Sequence, residues 1–86
     1  MRRLKDLGFG NPEIAAEQLL QILYSTVTQS EPSLSIDSLK TRFAQAGGSI
    51  TEFNAGLNFA LANDWIVLRG ESTRAEFGKA GLDLYS

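Results

Sequence analysis

The side chains able to do chemistry in this chain include neither histidine nor cysteine. The commonest general base and the strongest nucleophile are therefore both missing. A serine nucleophile would need a lysine or a carboxylate as its base, and no such pairing stands out. The glycine-containing stretch "GFGNP" is too short to cradle a phosphate, and "AGGS" lacks the lysine of a P-loop. The carboxylates are scattered, without the spacing of a calcium loop. An enzyme, a bound metal and a cofactor are thus not expected. What remains is hydrogen bonding and charge: Thr51, Asn54 and Asn58 in one stretch, Lys40 and Arg42 before it, Arg69 and Arg74 after it.

The elements that position these residues are well signalled. Asn11 can cap a helix and Pro12 suits its first turn. From there Ala15, Ala16, Leu19, Leu20, Ile22, Leu23 and Val27 share one broad face, with Glu17, Gln18, Gln21 and Ser25 on the other. The spacing predicts a helix from about Pro12 to Thr28, broken by "QSEPS" because Pro32 holds Glu31 extended. A short extended piece around Ser33 to Ser35 can precede the second helix. That helix has Ser35 as its cap and a stripe of Ile36, Leu39, Phe43 and Ala46, and it stops at Gly47-Gly48. The third helix starts at once. Ser49 followed by Glu52 is a capping box, and Ile50, Phe53, Leu57, Ala60 and Leu61 line the face predicted to be buried. After Asn63-Asp64 the period changes: "WIVLR" and "RAEF" read as strands and "GEST" as the turn between them. Leu82, Leu84 and Tyr85 then stand ready to cover the core.

With 86 residues, 43% hydrophobic and 21% charged, the chain suits one domain with one modest core and is unlike a disordered segment. There is no internal repeat, low-complexity tract or linker. No segment approaches the roughly 20 apolar residues of a membrane span, and "MRRLKDLGFG" lacks the apolar run of a signal peptide. The absence of cysteine fits a reducing compartment. A cytoplasmic location is the expectation. The formal net charge of −2 is unlike the basic surplus of most dedicated nucleic-acid binders.

Helix, helix, glycine turn, helix, hairpin: this order resembles the winged helix-turn-helix superfamily over about Asn11 to Tyr85. The residues that carry the resemblance are "FAQAGGSITEF", "GLNFALANDWIVL" and "RGESTRAEFGKAGL". In many bacterial members the third helix runs into a Gly-Trp-Ile or Gly-Trp-Leu type strand, and the wing ends in a Leu-Thr-x-x-Gly type step. Here Asp64 stands where that glycine often is. Phe77-Gly78-Lys79-Ala80-Gly81 stands at the later step, with Gly78 in place of the threonine cap.

The resemblance implies an α+β fold, a winged helix with a three-helix core and a C-terminal two-stranded antiparallel hairpin. Residues 1–10 would be an N-terminal tail and residues 11–86 a single winged-helix domain. It also implies a small DNA-binding transcription regulator, acting as a dimer, whose third helix enters the major groove while the hairpin touches the backbone. Thr51, Asn54 and Asn58 would then face bases, since a carboxamide can pair with an adenine edge. Lys40, Arg42, Arg69 and Arg74 would face phosphates, and Arg2, Arg3 and Lys5 could reach a minor groove.

The third helix itself has neither lysine nor arginine, which keeps a second reading open. On that reading the same scaffold is a protein-protein interaction or dimerisation module without DNA binding. A helical wheel places Ala55, Phe59 and Ala62 away from the predicted core face. They form either an apolar strip for a partner or a second copy, or a surface that the hairpin or C-terminal segment of the same chain covers.

Overall fold

The first helix, α1 (Pro12–Thr26), starts where the Asn11 side chain accepts the Glu13 backbone N–H at 2.9 Å. Of its predicted apolar stripe, Ala15, Ala16, Leu19, Leu20, Ile22 and Leu23 lie in the core, while Val27 is half-buried just past the helix. It ends earlier than the predicted Thr28. Val27 turns to extended geometry, and Thr28 closes a turn instead, its hydroxyl accepting the Glu31 N–H at 3.0 Å. The computed structural model describes residues 11–28 and 30–84. Arg2, Arg3, Lys5 and Tyr85, to which the sequence assigned roles, lie outside the described residues.

After the turn come β1 (Ser33–Ser35), α2 (Ile36–Gln45), α3 (Ile50–Ala62), β2 (Ile66–Arg69), β3 (Arg74–Phe77) and α4 (Lys79–Leu84). Ser35 caps α2 by accepting the Ser38 N–H, and Leu39 and Phe43 are that helix's buried residues. Ala46, the last member of the predicted stripe, is exposed at the cap. The capping box of α3 closes in both directions. Ser49 N–H donates to Glu52 Oε1 at 2.9 Å and Glu52 N–H donates to Ser49 Oγ at 3.1 Å.

The predicted two-stranded hairpin is part of a three-stranded antiparallel sheet with strand order β1-β3-β2. Ile66 pairs with Phe77, Leu68 with Ala75, and Ala75 in turn with Leu34. Because side chains alternate across a strand, these residues share the face turned to the core, where Ile66 and Ala75 are buried. Ser33, Ser35, Val67, Arg69, Arg74 and Glu76 share the outer face. The turn closes at residues 70–73 as predicted, with Gly70, Glu71 and Ser72 all at positive φ. The fold is therefore mixed α+β, with four helices and one three-stranded antiparallel sheet among the described residues.

The helices meet most closely where α1 crosses α3. The buried face of α3 is Phe53, Gly56 and Ala60, so it is centred on small residues. A side chain on Gly56 would come within 2.6 Å of the Ala15 Cβ and 2.9 Å of the Ala15 carbonyl carbon. This contact rotates α3 relative to the predicted face. Ile50, expected inside, is 58% exposed, and Leu57 and Leu61 are only half-buried. The C-terminal segment departs from expectation too. α4 is tied to the chain between α3 and β2, but Leu82 and Leu84 are exposed rather than folded over the core.

The tie works through close backbone approach. Ala80 and Gly81 N–H donate to the Asp64 carbonyl, and Gly78 N–H donates to the Trp65 carbonyl at 2.8 Å. A side chain on Gly78 would overlap the Asp64 carbonyl, and one on Gly81 the Trp65 carbonyl. Gly78 thus occupies its position because no threonine would fit there in this arrangement. Asp64 takes the left-handed geometry (φ 59°) that aspartate tolerates better than most residues.

Candidate functional site

On α3, Thr51, Asn54, Asn58 and Ala62 are exposed, while Ala55 and Phe59 are half-buried. Exposure follows from the close approach at Gly56. With Gly56 and Ala60 against α1, the opposite side of the helix carries Asn54, Asn58 and Thr51. The chain's four asparagines divide into two kinds. Asn11 caps α1, and the Asn63 carboxamide donates to the Phe59 carbonyl at 2.8 Å. Asn54, Asn58 and Thr51 have no side-chain hydrogen-bond partner among the described residues. Their polar atoms are available to something outside the chain.

The two readings of Phe59 are separated by its surroundings. Its ring meets Trp65 edge-on, with centroids 5.3 Å apart and planes at 65°, a geometry that aromatic pairs prefer. Phe59 is packed on its own chain at the start of the hairpin. Of Ala55, Phe59 and Ala62, only Ala62 is exposed, and the other two are half-buried.

The four cations are placed differently from one another. Lys40 is half-buried and Arg42 exposed on α2. Arg42 borders a shallow groove of about 310 Å³ with Asp37, Ser38, Thr41 and Gln45. Arg69 stands at the end of β2, its side chain 63% exposed, with Nε 3.5 Å from Glu76 Oε1. Exposed pairs of this kind contribute on the order of 0–1 kcal/mol.

Arg74 has structural work. Its Nε donates to Ser33 Oγ at 2.7 Å and its Nη2 to the Ser33 carbonyl at 3.0 Å, so it clasps β1 to β3. Arg69 and Arg74 are direct cross-strand neighbours, an arrangement that costs energy when like charges face each other. Glu76 beside one and Ser33 beside the other offset that cost. The sequence does not foretell the Arg74 clasp, because its partner lies 41 residues away.

The carboxylate nearest the start of the candidate face is Glu52. It is half-buried and turned back onto the Ser49 N–H. Elsewhere, Tyr24, Val27, Thr28, Pro32, Glu76, Phe77 and Leu82 line a groove of about 650 Å³ between α1, β3 and α4. Among the described residues no cluster of acidic side chains could hold a metal ion, and no helix is long and apolar enough to cross a membrane. Compared with known protein families, curated proteins and solved structures, the chain matches none.

Proposed function

We propose that this is a winged-helix DNA-binding protein, a small cytoplasmic transcription regulator that presents α3 to the major groove. The observation that carries the reading is the exposed face of α3. Its Thr51 hydroxyl and its Asn54 and Asn58 carboxamides are unused by the fold, whereas Asn11 and Asn63 are consumed by it. The element order supports it as well, with one strand before α2 and a hairpin after α3 in one sheet. In this reading the turn at residues 70–73 is the tip of the wing. Lys40, Arg42 and Arg69 are the phosphate contacts, while Arg74 has only part of its guanidinium left for the task.

The electrostatic share of affinity must be small. Observed affinity falls with salt with a slope of about −0.9 per phosphate neutralised. Before Arg2, Arg3 and Lys5 are counted, the four cations Lys40, Arg42, Arg69 and Arg74 give a slope no steeper than about −3.6 per chain. Fluorescence anisotropy on duplex DNA at low and moderate salt measures it. Weak binding with a shallow slope is expected. Arg69→Ala should flatten the slope further, while Asn58→Ala should change sequence preference and leave the slope alone. If neither random nor genomic upstream duplexes bind at low salt, the DNA reading fails.

Binding this weak becomes useful with two copies. Large apolar side chains remain exposed on α1 and α4, namely Tyr24 (60%), Leu82 and Leu84, and β2 is an edge strand. Such features invite self-association. They equally favour the second reading, an interaction or dimerisation module on the same scaffold, whose contact surface is then α1 and α4 rather than Phe59. Sedimentation at rising concentration should show a dimer. A strict monomer at high concentration would remove self-association from both readings.

A further inference from the structure

We propose that the exposed face of α3 selects A·T base pairs, and that Ile50 is the residue that reads the thymine methyl group. The inference rests on the DNA-binding reading above and names the class of duplex that face would take. Ile50 is the first residue of α3, and it is 58% exposed although it is large and apolar. It borders a small groove of about 240 Å³, floored by Phe43 and Phe53, with Lys40, Thr41 and Ser49 around it. Ile50, Asn54 and Asn58 follow one another at intervals of four residues, so they stack along one side of the helix.

The chemistry of this strip fits only some bases. In the major groove guanine presents two acceptors, best met by arginine or lysine, and α3 has neither. Cytosine presents an amino donor, met by a carboxylate. The carboxylate of α3 is Glu52, which is half-buried and bonded to the Ser49 N–H at 2.9 Å. Adenine presents an acceptor and a donor that a carboxamide meets in pairs, and thymine presents a methyl group that an apolar side chain meets. Asn54, Asn58 and Ile50 supply both of the latter and neither of the former. The opening turn of α3 thus presents the polar Ser49 and Thr51 beside the exposed apolar side chain of Ile50.

The experiment uses the full chain. Duplexes are enriched from a random pool at low salt, and the thymines of the enriched duplex are then replaced one at a time by deoxyuridine, which lacks only the methyl group. Binding is followed by fluorescence anisotropy. The enriched positions should be A·T, and one or two replacements should each weaken binding about fourfold, the weight of one buried methyl group. Ile50→Ala should bind the thymine and deoxyuridine duplexes alike while its thermal melting stays close to that of the parent, because the side chain is exposed. Asn58→Ala should keep the methyl discrimination.

Enriched sites with G·C at the contacted positions, or equal binding of thymine and deoxyuridine duplexes by the parent chain, would overturn this inference and leave the DNA reading standing. Failure of any duplex to bind overturns that reading, and this inference with it.

Discussion

Replacing Phe43 by alanine should lower the free energy of unfolding by about 3–5 kcal/mol. Phe43 is 1% exposed, and its ring lies 5.8 Å from that of Phe53 at an angle of 60°. It joins α2 to α3 across the turn at residues 47–48. The backbone folds tightly over it: a side chain on Gly48 would overlap the ring, and Gly48 N–H donates to the Phe43 carbonyl at 3.0 Å. Truncation therefore removes a ring held between Gly48 and Phe53, and the cost falls in the usual range for a buried phenylalanine. A chain of 86 residues has a total stability on the order of 4–13 kcal/mol, so the loss is a large fraction of what holds the domain together. Urea titration measures the effect. A midpoint unchanged from the parent would mean that α2 does not bury this ring.

The second large effect is expected at Gly56, with a sign opposite to the one helix propensity suggests. Glycine inside a helix is about 0.8–1.0 kcal/mol worse than alanine, so Gly56→Ala on an isolated helix would stabilise. Here the new methyl would lie 2.6 Å from the Ala15 Cβ and 3.0 Å from the Ala16 nitrogen. Two of its three nearest neighbours are backbone atoms, which can move only if α1 moves as a whole. Overpacking of this kind costs about 1–3 kcal/mol, and the net change should be destabilising despite the propensity gain. Thermal unfolding read by circular dichroism decides the sign. A more stable variant would show that α1 and α3 do not cross at this point.

The same contact explains how far the fold was legible. The period of α1, the Ser49–Glu52 box and the "GEST" turn are local signals, and each carries its own chemistry. The face of α3 is not a local signal. Its buried centre, Gly56 and Ala60, contributes almost no hydrophobicity, so the larger Ile50, Leu57 and Leu61 drew the predicted stripe toward themselves. What buries Gly56 is the room it leaves for Ala15 and Ala16, a property of two helices together.

Thr51, Asn54 and Asn58 were legible as an outward set because they are polar whichever way the face turns by a small angle. Phe59 was legible only as a choice between a strip for a partner and a residue covered by its own chain, and its contact with Trp65 at the start of the hairpin fits the second. β1 was visible only as an extended possibility. "SLS" has weak strand character, and its partner is set by the sheet. The Arg74 clasp was invisible for the same reason.

That clasp also bears on the order in which the chain assembles. β2 and β3 are joined by a four-residue turn at residues 70–73, so their pairing closes a very short loop. β1 reaches the same strand only by closing a loop of 41 residues, and the whole of α2 and α3 lies between. Long loops cost more entropy to close, and contacts across them form late. The hairpin is then the template, and β1 is the strand that arrives after the helices have shortened the distance. In kinetic terms, Leu34→Ala should speed unfolding and leave the folding rate nearly unchanged, which makes the Ser33–Arg74 pair a latch on the finished domain.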